Sequence, residues 1–178
     1  MASSSWFSKM LGKSMTLDNL KDVLVLQLQD LYSAEDQLIS ALPKMEAGAS
    51  SAELKAAFRD HLGETKQHKQ RVEKCFKLLG CPVQSETCDA MNGLVSEGNE
   101  VLSLTGDPEV KDAALIAAAQ RVEHYEMAGY GCARTFARQL GYTEVADILQ
   151  STLDEEGDAD KRLTHIAESF VNRQAAHS

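Results

Sequence analysis

The chain has 178 residues, of which 43% are hydrophobic and 25% charged, so it is long enough to bury a substantial core and has the balance of an ordinary globular domain. Its formal net charge of −9 argues against a nucleic-acid partner, which would need a basic face, and no apolar run approaches the length of a membrane span. The four cysteines, Cys75, Cys81, Cys88 and Cys132, form neither a CxxC pair nor a zinc spacing, and they read as reduced thiols of a cytoplasmic protein.

The first fifteen residues, "MASSSWFSKMLGKSM", lack the apolar core and cleavage site of a secretory signal. They read as a flexible or docking tail, with Trp6, Phe7, Met10 and Leu11 able to form one amphipathic turn. "GKS" at residues 12–14 is not a phosphate loop, because Phe7 stands where the first glycine would be.

The first helix is expected to be capped by Thr16, with an apolar stripe from Leu17 to Leu42. Glu35 shares the depth of the acids on the other helices if this helix continues, kinked, through Pro43 to about Ala47, and lies one or two turns out of register if it stops at Leu42. Within that stripe Glu35 occupies a position that should face the core. A bare buried carboxylate is costly enough to require a proton, a partner or a metal. Ser50 with Glu53 suggests a capping box opening a second helix, whose stripe of Leu54, Phe58, His61, Thr65, His68, Val72 and Phe76 is stopped by Gly80 and Pro82. A long crossover follows, with a short helix expected over residues 87–102. Asp107-Pro108 is an N-cap with proline at the first helical position, and the third helix runs to Gly141. Thr143 is expected to cap the fourth, whose inner side carries Leu149, Leu153, Glu156, Asp160, Leu163, Ala167 and Phe170.

Short connections make helices one and two, and helices three and four, into hairpins. One long crossover between the hairpins gives an all-α, ferritin-like four-helix bundle over residues 16–171, with a C-terminal tail at 172–178. Each long helix then carries acid in or beside its inner stripe: Glu35; Glu64, with His68 one turn on; Glu123 and Glu126; Glu156 and Asp160. Counted from the hairpin turns at 1.5 Å per residue, all seven lie at nearly one depth, around 20 Å into the bundle. Six carboxylates and an imidazole in one core require cations to offset them. An oxygen-rich set without thiolates suits two hard or borderline ions, iron first and manganese second.

Bland alternatives stand beside these assignments. Glu64 and His68 could be a surface pair, and Glu123 and Asp160 could accept hydrogen bonds from neighbours such as Arg121 or Lys161. His61 is read as a satisfied core histidine or one behind the ligands, with ligation as the alternative. Tyr32, Tyr125 and Tyr130 are packing residues that could also donate to a ligand. Asp154 and Glu155 belong to the solvated face.

The stretches "LQDLYSAEDQLISALPKM" (28–45), "HLGETKQHKQRVE" (61–73), "CDAMNGLVSEG" (88–98), "VEHYEMAGYG" (122–131) and "LDEEGDADKRL" (153–163) resemble the YciE/YciF-type stress-response family of ferritin-like bacterial proteins, over about residues 17–171. The resemblance implies a homodimer. It also suggests that Glu35 and Glu126 serve as the single glutamates of a di-iron pattern, while Glu64 and Glu156 open its two paired motifs. Ferritin-like di-iron proteins use Glu-x-x-His in two helices. Here Gln67 and Ala159 stand at those third places, so that Glu-x-x-x-His and Glu-x-x-x-Asp replace the usual pair and helix four offers no nearby imidazole. Two functions remain open. One is a dinuclear iron or manganese protein acting on Fe(II) with oxygen or peroxide. The other is a non-enzymatic structural or interaction protein with a relic or adventitious metal site.

Overall fold

The computed structural model describes residues 16–177; the expectations for the N-terminal tail lie outside the described residues. Four long helices and one shorter one carry the fold: α1 (Leu20–Gly48), α2 (Ala52–Leu78), α3 (Asp89–Ser103), α4 (Pro108–Gln139) and α5 (Thr143–Ile166). Helix α1 packs on α2 and α4 on α5, and the hairpins stack with α1 against α4 and α2 against α5. The crossover carries α3 across α1 and α4. The architecture is the all-helical bundle expected, with the short helix in its expected place.

Several ends differ from expectation, each for a local reason. Asn19, not Thr16, caps α1: its side chain accepts from the Asp22 amide while the Asp22 carboxylate accepts from the Asn19 amide, a reciprocal pair unavailable to Thr16. Leu17 accordingly lies outside the helix and is exposed. The helix does run through Pro43, to Gly48. Ser51 rather than Ser50 caps α2, because the Ser50 and Ser51 amides both donate to the buried Asp112 of α4, at 2.8 and 2.6 Å. Gly80, at φ +68°, makes the turn that ends α2, a conformation that favours glycine. Thr143 is the first residue of α5; Tyr142 precedes it without a side-chain cap.

Beyond Ile166 the chain makes a π-helical turn, Ala167–Val171, and then α6 (Asn172–Ala175). A π turn holds more residues than an α turn and rotates the faces that follow. Val171 is therefore buried at 1% exposure, whereas Phe170, expected on the inner side, is 47% exposed. The four cysteines are free, and Cys132 alone among them is exposed. Among the described residues no helix is long and apolar enough to cross a membrane.

The core divides into two apolar layers. One holds Leu38, Leu42, Leu54, Phe58, Leu115, Ile116 and Leu163. The other holds Leu24, Leu28, Leu31, Val72, Phe76, Tyr130 and Leu149. Every long helix passes from one layer to the other through a polar side chain, and those side chains form the site.

Candidate metal centre

Glu35, His68, Glu126 and Glu156 are fully buried, and Glu123 and His61 are 3% and 6% exposed. Helix periodicity puts them there: Glu35 follows Leu31 on α1, His61 and His68 lie two turns apart on α2, Glu123 and Glu126 flank one turn of α4, and Glu156 faces them from α5.

Two groups of donor atoms emerge, each with its atoms within 4.8 Å of one another. Glu35, His68 and Glu156 form one. His61, Glu123, Glu126 and Glu156 form the other, so Glu156 is common to both. Glu64 and Asp160 belong to neither. Glu64 is 44% exposed and reaches inward only to His61 Nδ1, at 3.2 Å. Asp160 accepts a 3.0 Å hydrogen bond from Gln120, and His124 lies 3.4 Å from it. The neighbours considered as alternative partners are engaged elsewhere, Arg121 with Glu97 and Lys161 with Asp158.

Each imidazole is held from behind. His61 Nδ1 faces Glu64, leaving Nε2 directed at Glu123 and Glu156, 3.5 and 3.7 Å away. His68 is turned the other way: Nε2 meets Glu155 at 2.7 Å, and Nδ1 faces Glu156 at 2.9 Å and Glu35 at 3.7 Å. Glu155 is fixed in turn by Arg71, whose guanidinium grips both carboxylate oxygens at 2.7 and 2.9 Å. A carboxylate behind a ring nitrogen fixes the tautomer and leaves the opposite nitrogen as a lone-pair donor. Glu155, 36% exposed, thus borders the solvated face yet reaches His68, a role that its position beside Glu156 in sequence hid. The Tyr130 hydroxyl, also fully buried, donates to Glu35.

The electrostatics show how unbalanced this layer is. Burial, reinforced by the Glu156 charge, pushes the Glu35 carboxyl up to about 8. Burial likewise pushes Glu123 up to about 8, against the pull of His61. Glu126 is raised well above the usual carboxylate range by burial and by Glu156, Glu35 and Glu123. Burial alone would depress His61, but Glu123, Glu64 and Glu156 outweigh it and bring it to about 10. His68 is raised in the same way, chiefly by Glu156. The Arg71 hydrogen bonds lower Glu155, keeping it an acceptor for His68.

A metal pair fits these residues on one observation. Besides atoms of Gln29, Gln37 and Arg134 elsewhere, the buried atoms without a hydrogen-bond partner include Glu35 Oε2, His61 Nε2, Glu123 Oε2, Glu156 Oε2 and both carboxylate oxygens of Glu126, while His68 Nδ1 and Glu156 Oε1 have only each other, at 2.9 Å. These glutamate and histidine atoms all belong to the two donor groups. Buried polar atoms are ordinarily satisfied, and a convergent set of orphaned acceptors calls for cations. At its outer side the layer meets a cavity of about 170 Å³ between α2, α4 and α5, where His61, Glu64, Glu123, Glu155 and Arg162 stand beside apolar residues such as Phe58 and Leu163.

The fold and site together define an all-helical bundle with a buried carboxylate–histidine layer. Residues 19–176 match the family described as Domain of unknown function (DUF892), and the chain belongs to that family. It is 44% identical over 162 residues to Protein YciF of Escherichia coli (strain K12), covering 90% of this chain and 98% of that protein. The crystal structure of that E. coli stress protein superposes with a TM-score of 0.84, covering 87% of this chain and 98% of that one. YcfI, a putative structural protein from Rhodopseudomonas palustris, superposes with a TM-score of 0.83 at 37% identity, covering 86% and 98% of the two chains. A protein from Xanthomonas campestris, at 23% identity and a TM-score of 0.70 over 89% of this chain and 98% of its own, shares the fold.

Proposed function

We propose that the chain is a ferritin-like stress-response protein of the bacterial cytoplasm that holds two metal ions, iron first and manganese second, and oxidises Fe(II) with oxygen or peroxide. The observation that supports this reading is the set of orphaned acceptor atoms converging on Glu156 from all four long helices. Four carboxylates with two imidazoles match the preference of iron and manganese for oxygen and nitrogen donors, and their charge offsets two divalent ions. When bound there, such ions supply the one-electron chemistry that no side chain of the layer can provide.

The chain's own residues do the rest. Glu156 is the donor available to both ions. Glu35 and His68 complete one group, and His61, Glu123 and Glu126 the other. Glu64, and Glu155 with Arg71, hold the two rings so that a lone pair faces inward; Tyr130 holds Glu35. The apolar layers above and below exclude water, and the Glu64-lined cavity offers hydrated ions a polar entrance. The homodimer implied by the resemblance belongs to the same proposal and is checked by light scattering.

The reading is tested by elemental mass spectrometry of protein purified without chelator, followed by Fe(II) oxidation under oxygen and under peroxide. About two irons or manganeses per chain with catalytic turnover would support it. A metal-free protein of full stability would favour the second reading, a structural protein, which the description of the R. palustris relative suggests.

A further inference from the structure

The polar layer is reached by two cavities that share Phe58, His61 and Glu123, one carrying charged side chains in its remaining wall and the other none. The first has been described. The second lies beneath α3, where Leu94 and Gly98 of that helix face Leu38 and Met45 of α1, Phe58 of α2 and Val122 of α4. Its volume is about 40 Å³, and its inner end is formed by His61 and Glu123.

By the same measure one water needs ~10–15 Å³, so the space could hold a small molecule. Water, however, also needs two or more polar partners, and away from its inner end this wall is nearly all aliphatic and aromatic. Although the cavity opens to solvent beside Asn99, its aliphatic wall offers water few partners and favours apolar guests. The guest would lie against His61 and Glu123, two residues with a buried, unpartnered atom directed into the layer. Gly98 keeps the space open: a Cβ there would sit 3.7 Å from Met45 Sδ, so any longer side chain extends into the cavity.

We propose that this cavity is a docking site for dioxygen, which brings a small apolar molecule to the His61–Glu123 side of the centre while ions and peroxide use the polar entrance beside Glu64. The consequence for chemistry rests on the metal-centre reading; occupancy by dioxygen does not.

The two are therefore tested separately. In metal-free protein, methyl NMR under raised oxygen pressure reads paramagnetic broadening residue by residue. The Met45, Ala119 and Val122 methyls should broaden more than those of Leu24, Val72 and Leu149 in the opposite apolar layer. Gly98→Leu should abolish the difference, and Leu94→Ala, which widens the mouth, should enlarge it. Equal broadening in both layers, or a difference that survives Gly98→Leu, overturns the proposal, and Leu94→Ala still decides the matter if Gly98→Leu folds poorly. In iron-loaded protein, Gly98→Leu should slow oxidation by oxygen several-fold while leaving bound iron and the rate with peroxide unchanged. Equal slowing with both oxidants overturns the separate route. A wild type that binds no metal refutes the centre, and the methyl spectra then decide the cavity alone.

Discussion

Glu156→Gln tests the centre most sharply, because Glu156 is the side chain common to both donor groups. The amide keeps the shape and removes the shared charge, so both ions lose a donor. Removing a residue that merely orients a ligand costs 10–100-fold in affinity, and a direct donor should cost at least ~100-fold, or about 2.7 kcal/mol. At metal near 100 times the dissociation constant, each bound ion stabilises the wild type by about 2.7 kcal/mol, or ~5–10 °C in a chain of 178 residues. At the same metal concentration the variant keeps only about 0.4 kcal/mol per ion, roughly 1 °C each. Without metal, the variant should lie within about 1 kcal/mol of wild type, because relief of the repulsion that Glu156 imposes on Glu35, Glu123 and Glu126 offsets its lost contact with His68. Thermal unfolding with and without metal, together with elemental analysis, reads all three quantities. A variant with the full metal complement and the full thermal shift would refute the shared-donor reading. One that unfolds when metal-free would show Glu156 to be structural.

Glu64→Ala and Glu155→Gln should each weaken metal binding ~10–100-fold while leaving full stoichiometry at saturating metal, since each acts through an imidazole; isothermal titration separates this from lost capacity. Metal-free stability should fall as pH rises. The folded state holds protons on Glu35 and Glu123 up to about 8 and on His61 up to about 10, above their ordinary values of 4.5 and 6.5, so each contribution is complete below the ordinary value and lost as pH climbs through the folded one. Urea unfolding with chelator should show stability declining with pH, from about 4.5 to 8 for the two carboxyls and from about 6.5 to 10 for His61. A flat or rising curve would contradict the reading, whereas metal-loaded protein should lack the decline because ions replace those protons. Asp112→Ala should cost about 2–4 kcal/mol and lower the Tm by ~4–16 °C, because two backbone amides at the α1–α2 turn lose a buried charged acceptor; differential scanning calorimetry measures it, with metal content unchanged.

What the sequence made legible were features with local causes. Period, proline and glycine placed every long helix, and the count from the hairpin turns put Glu35 at the depth of Glu123, Glu126 and Glu156 only if α1 ran through Pro43, as it does. Misplaced features depended on partners far away in the chain. Ser50 could not be told from Ser51 because the choice rests on Asp112, some sixty residues on. Phe170 and Val171 were exchanged by a π turn that no residue pattern announced. Glu64 and Asp160 share a face with buried neighbours on their helices, but a helical face is wide. A residue four positions on is rotated by about 40°, enough to set Asp160 beside Gln120 rather than in the layer with Glu156.

The same width resolves the departure from the di-iron pattern. A second imidazole was missing from helix four, and that gap counted in favour of a relic site. It is met from α2, where His61 and His68 stand seven residues apart, close to two full turns, so that both rings reach the layer from one helix. They enter with opposite nitrogens inward because the carboxylates behind them differ: Glu64, three residues along α2, takes His61 Nδ1, and Glu155, across on α5, takes His68 Nε2. Each donor group thus has its own imidazole, each imidazole its own acid, and α5 supplies the shared carboxylate. A relic would need only to avoid burying charge, which apolar replacements would do at less cost. Two histidines held by separate outer partners, each with its opposite nitrogen turned toward Glu156, support the reading in which cations take the place of the protons that otherwise balance the layer.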